Sequence, residues 1–165
     1  MARTDVVGIK DTIKSLFDSA NTTTASPIDL SSDLTKRVQK TMTLHPDMIR
    51  PQASFFPFVT CYVDDKAVVS KQIAVNQTTA KRDSEITLKI VGAVFNQNLT
   101  DVTKDPADND INYLMENIEQ VLRSNPNLSG KVLWQAPESV EYFTTADLSN
   151  AVRYGILTLK ARVSY

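Results

Sequence analysis

The chain has 165 residues, 42% of them hydrophobic and 22% charged. That composition fits one folded globular domain and excludes a disordered or fibrous chain. Lys and Arg number 18 against 19 acidic residues, a balance that excludes a dedicated nucleic-acid binder with a strongly basic surface. The single Cys61 excludes an internal disulfide framework. It lies in the apolar run Phe58-Val59-Thr60-Cys61-Tyr62-Val63, where a thiol packs as a small hydrophobe.

In chain order, the first predicted element is a helix over residues 5–20. Val6, Ile9, Ile13, Leu16, Phe17 and Ala20 recur at spacings of three and four, and Thr4 or Asp5 is placed to cap the start. The hydroxyl-rich run ending at Pro27 stops it, because Ser and Thr compete for backbone hydrogen bonds and Pro27 disfavours helix at Ser26. Between Ile28 and Pro51 the pattern is weak, with a short strand suggested around Val38 to Leu44 and a loop around His45-Pro46-Asp47. Phe55 to Val63 is aromatic and β-branched, and Pro57 places it at a strand start or an edge. Asp64-Asp65 is expected to turn the chain before a second extended stretch, Lys66 to Val75. Glu85 to Phe95 alternates again, so this region is read as a meander with an extended hairpin.

The strongest helical pattern follows, with Ile111, Leu114, Met115, Ile118, Val121 and Leu122 on one face and Asn109 or Asp110 as its cap. Burying those six side chains contributes on the order of 9–18 kcal/mol before the cost of ordering them. Lys131 to Gln135, Val140 to Thr144 and Val152 to Tyr165 are the remaining strands. In the last, Leu157, Leu159, Ala161, Val163 and Tyr165 face the core while Tyr154, Ile156, Thr158, Lys160 and Arg162 face away. The expected fold is α+β: an antiparallel or mixed sheet packed against two helices, in one domain, with residues 25–53 as a possible arm or insertion.

Chemistry is sparse. The four glycines, at positions 8, 92, 130 and 155, build no phosphate-binding loop. His45 is the only histidine and supplies no repeated His ligand set for zinc. Asp101, Asp105, Asp108 and Asp110 lack the spacing and central glycine of a calcium loop, and they suit the start of a helix instead. No catalytic residue, metal site or cofactor is expected, and no enzymatic activity. The opening residues lack an apolar stretch long enough for a signal peptide, so the protein is expected to work in a cytosol or in something assembled there. Lys66, Lys71, Lys81, Arg82 and Lys89 form a basic concentration on the hairpin, interspersed with Asp64, Asp65, Asp83 and Glu85. With Lys160 and Arg162 they are the candidate subunit or partner interface, although a solvated edge defended against aggregation is the more ordinary account of the hairpin charges.

The order of elements carries a resemblance. A short helix precedes the aromatic strand with its Phe56-Pro57 step. A β excursion then closes on Ser84-Glu85-Ile86-Thr87-Leu88-Lys89, and an amphipathic helix leads to Asn125-Pro126-Asn127. The last strand closes at Tyr165. From about Phe55 onward this resembles the tail terminator, or tail completion, proteins of long-tailed bacteriophages, the lambda-type family. The resemblance implies a structural protein of the virion neck, assembled in the host cytoplasm. It would form a hexameric ring on the end of the tail tube, stop tube polymerisation and offer a surface to the head–tail connector or stopper. Its partners would be its own copies, the tube protein and the connector, with DNA only passing through the lumen and no membrane involved. The alternatives are another neck adaptor or stopper protein, or a small α+β hydrolase or ligand-binding protein using His45 and the aspartate cluster.

Overall fold

The computed structural model describes residues 5–22, 38–49, 53–71, 82–96, 106–146 and 151–164. Among these residues two α-helices and five strands follow the order α1 (Val6–Thr22), β1 (Lys40–Met42), β2 (Phe58–Lys71), β3 (Arg82–Asn96), α2 (Pro106–Arg123), β4 (Trp134–Ala146) and β5 (Ala151–Ser164). The strands form one sheet in the order β1-β2-β3-β5-β4. Only the β1–β2 pair is parallel; the other three are antiparallel, so the sheet is mixed and the fold is α+β. No described helix is long and apolar enough to cross a membrane.

Helix α1 starts where its sequence predicts. The Asp5 carboxylate accepts the Gly8 backbone N–H at 2.9 Å, satisfying an orphan donor of the first turn. Ile9, Ile13 and Phe17 form its buried face. Helix α2 begins at Pro106, earlier than the Asn109 or Asp110 cap predicts, because proline is well suited to a first helical turn whose N–H groups have no partner. Its predicted apolar face is buried in full, from Ile111 to Leu122.

The helix leaves through a tight connection in which Leu128, Ser129 and Gly130 have φ of 45°, 57° and 82°. This left-handed run is costly for Leu128, whose side chain is completely buried and so holds the turn in place. The Gln135 amide then donates to the carbonyls of Leu122 and Asn125, at 2.5 and 3.1 Å, closing the helix C-terminus onto the first residues of β4.

Both helices lie on one face of the sheet. Leu88 and Leu159 pair across β3 and β5, as do Ile90 and Leu157, and all four side chains point beneath α2. Leu157, Leu159, Ala161 and Val163 of β5 are buried as their alternation predicts, while Tyr165 lies outside the described residues. Cys61 is buried on the same face, and desolvation pushes its thiol up to about 12.

Gly92 and Gly155 stand directly opposite one another beneath α2. A Cβ on Gly92 would lie 2.9 Å from the Met115 sulfur and 3.0 Å from Leu114, and one on Gly155 would lie 2.7 Å from the same sulfur. The missing side chains are the seat of Met115.

Two sequence readings are corrected. Asp64-Asp65 makes no turn: β2 runs unbroken through it, with a register shift between Val63 and Asp65. Neither aspartate is a residue that takes positive φ as readily as glycine, and pairing to β3 on both sides makes a bulge the cheaper accommodation. Lys131–Gln135 and Val140–Thr144 are likewise not separate strands. Residues 131–133 are turn, and β4 continues through a bulge between Pro137 and Ser139.

Two measurements test this account. Gly155→Ala should destabilise the protein by about 1–3 kcal/mol through overpacking against Met115, read as a lower melting temperature. Asp5 is held below its ordinary 3.8, first by the Gly8 N–H and then by Lys131. A lowered carboxyl contributes stability that is present above its unfolded value and lost as pH falls through its folded one. Asp5→Ala should therefore melt earlier than the parent at pH 7, and the gap should narrow as pH falls below the unfolded value and close below the folded one.

Candidate assembly surface

The face opposite the helices is divided into two parts by cross-strand rows. Phe58, Ala93, Tyr154 and Phe143 make one row, from β2 across β3 and β5 to β4; Thr60, Val91, Ile156 and Glu141 make the next. At the β2 side this apolar half is covered by the chain around the 3-10 turn Pro46–Met48. Thr60 Oγ donates to the Leu44 carbonyl at 2.5 Å, the His45 ring packs edge-on against Tyr62, and Phe56 packs against Phe58 and Phe95. A groove of about 370 Å³ remains between Pro46, Asp47 and Ile49 on one side and Phe143, Thr145 and Tyr154 on the other.

The other half is charged and internally neutralised. Lys89 and Thr158 are opposite one another, and the Lys89 ammonium donates to the Thr158 hydroxyl at 2.8 Å. Lys160 lies 2.9 Å from Glu138 and 3.9 Å from Glu85, and these carboxylates, Glu138 foremost, hold its ammonium above the ordinary lysine range. Arg162 pairs with Asp83 at 2.8 Å. Trp134 begins β4 opposite Arg162 and is 39% exposed, so it is neither fully core nor fully free.

The candidate residues therefore fall into groups. Lys89, Lys160 and Arg162 share the open face of the sheet, as the β5 alternation predicts for the last two. Lys66 lies in row with Ile86, on the side the helices cover, yet is exposed near the far end of β2. Lys71 and Arg82 are register partners at the end of the hairpin, with side chains outside the described set, and Lys81 lies outside the described residues. Of the aspartate cluster, Asp101 and Asp105 lie outside them as well, and Asp108 and Asp110 lie within α2. His45 caps the 3-10 turn by accepting the Asp47 backbone N–H, and its side chain is 46% exposed. Among the described residues no three His, Cys, Asp or Glu side chains converge on a possible metal position.

Sequence reasoning passed over the outer edge of β4. This strand is thirteen residues long and ends the sheet. Pro137 and the bulge beside it protect the first half, since a proline offers no N–H and a bulge breaks the flat template. From Val140 to Ala146 there is neither proline nor lysine. Tyr142 and Phe143 stand on opposite faces of that stretch, 50% and 48% exposed. The signal was present in the run Val140-Glu141-Tyr142-Phe143-Thr144-Thr145, whose β propensity is high and whose only charge is Glu141.

No protein-family model matches the chain, and no curated protein matches it. Among solved structures it is similar to a chain from a structure described as the virion of a native gene transfer agent particle. The two share 11% identity with a TM-score of 0.42, over 99% of this chain and 100% of that one. A likeness so distant assigns neither family nor function.

If the β4 edge serves assembly rather than folding, its exposed aromatic should matter little to the isolated chain. Phe143→Ser is expected to change stability by no more than about 0.5 kcal/mol, measured by thermal or urea unfolding.

Proposed function

We propose that the chain is a non-enzymatic structural protein of a phage neck: a tail terminator that forms a hexameric ring on the end of the tail tube. In that position it stops tube polymerisation and presents a surface to the head connector or stopper. The observation that supports this reading best is the second half of β4, which carries no proline or lysine and, among the described residues, has no strand on its outer side. A monomeric protein keeps such an edge short, charged, bulged or covered, whereas an assembling one leaves it for a neighbour. The order of elements, with its likeness to the terminator pattern from Phe55 onward, supplies the specific role within that class.

The charge distribution agrees with a ring that DNA passes through without being gripped. Lys160 and Arg162 already face Glu138, Glu85 and Asp83, so their positive charge is largely compensated locally. Subunit contacts built from such mixed charge set register more than affinity.

Removal of the gene from its particle is the decisive experiment. A terminator's loss should yield tails of abnormal, extended length, and adding the purified protein to growing tubes should cap them with six copies. Tails of normal length that fail to join heads would instead identify a stopper or adaptor.

A further inference from the structure

The two edges of the sheet carry opposite charge. The only charged residues in β4 are Glu138 and Glu141, whereas β1 has only Lys40, and the chain leading into it reads Lys36-Arg37-Val38-Gln39-Lys40. Glu138 is engaged by Lys160, but Glu141 is exposed and has no ion-pair partner among the described residues. Lys40 is exposed too, its ammonium 5.7 Å from the centre of the Phe55 ring. Among the described residues no strand pairs with the outer side of either β1 or β4.

Strand direction adds a second constraint. β1 and β2 are parallel, and each following pair across β3, β5 and β4 is antiparallel. β4 therefore runs opposite to β1. When one copy follows another in the same orientation, β1 of the second lies antiparallel to β4 of the first, the more favourable pairing. Joining like edges gains no such complement: β4 carries only Glu138 and Glu141 and β1 only Lys40, so no opposite charges meet across either seam.

We infer that the occupant of the β4 edge is a second copy of this chain, whose β1 pairs antiparallel with the Val140–Ala146 stretch and continues the sheet from subunit to subunit. Such a contact is heterologous, so it repeats head to tail and gives a ring where the rotation closes. Glu141 against Lys40 sets the register, and Tyr142 and Phe143 cover the junction on its two faces. The inference rests on the proposed ring and states which surfaces make it.

Cysteine pairing across copies tests it. With Lys40 opposite Glu141, antiparallel pairing sets Gln39 opposite Tyr142 and Thr41 opposite Val140. Thr41 is in row with Val59, and Val140 and Tyr142 are in row with Leu157 and Gly155, on the helix-covered face. The native Cys61 is buried and stays out of mild oxidation. Gln39→Cys and Tyr142→Cys chains are mixed and oxidised, with Thr41→Cys and Val140→Cys as the second pair. The mixture should give disulfide-linked pairs in at least about tenfold greater yield than either variant alone, because an ordered edge raises the local thiol concentration. A chain carrying both cysteines should give a ladder of multimers.

Unchanged melting temperatures show that the variants fold. Equal crosslinking of a single variant with itself would overturn the inference in favour of like-edge pairing. Six-copy rings on tube ends without any crosslink would overturn it too, while leaving the terminator reading intact. Ladders from a protein that never caps a tube would support the edge pairing and remove the terminator reading. A chain that stays monomeric at high concentration and on tubes, with no crosslink, would remove both.

Discussion

Everything in this fold is arranged around the place where α2 meets the sheet. Met115 descends onto a pair of glycines, Gly92 and Gly155, that face each other across β3 and β5. A glycine in a strand weakens it locally, since it has no side chain to pack and more backbone freedom to lose. Two in register are tolerated because the helix fills the space with Leu114 and Met115, both fully buried. Ile111, Ile118 and Leu122 join the Leu88–Leu159 and Ile90–Leu157 pairs in one buried cluster. Close packing of this kind leaves little latitude for the helix to slide.

With α2 seated, the position of β4 follows. Leu128 is inserted into the core despite its left-handed backbone, and the Gln135 amide ties the start of β4 to the last carbonyls of the helix. The strand then pairs with β5 along its whole length. Among the described residues no strand pairs with the outer side of β4, and Tyr142 and Phe143 are about half exposed there. The same covalent path that closes the core thus places β4 at the margin of the described sheet.

The opposite face shows how charge and apolar area divide one sheet between two tasks. The rows from Asp83 to Lys89 are satisfied by neighbours on β5 and β4, whereas the rows from Val91 to Phe95 are partly roofed by the chain around His45. Compensated charge of this kind contributes little to stability at an exposed site. It does keep that half of the sheet from offering a second sticky surface, which restricts where a copy of the chain can dock.

Periodicity alone determined the two helices, the buried face of α2 and which β5 residues look inward, because burial imposes a spacing of 3.6 on helices and 2 on strands. Capping preference narrowed the first cap to Thr4 or Asp5, of which Asp5 serves, and put Pro57 at a strand start or an edge, directly before β2. Strand continuity was not legible. Asp64-Asp65 and Pro137 both look like interruptions, and only pairing with β3 and β5 shows that they are bulges within longer strands. Nor was the candidate surface legible, although its residues were in view. Lys160 and Arg162 read as free cations until Glu138, Glu85 and Asp83 came beside them from other strands. Sequence by itself determined which faces are apolar, because that depends on residues a few places apart. Tertiary structure alone decided which strand ends the sheet and which charges meet, because those depend on partners brought together from distant parts of the chain.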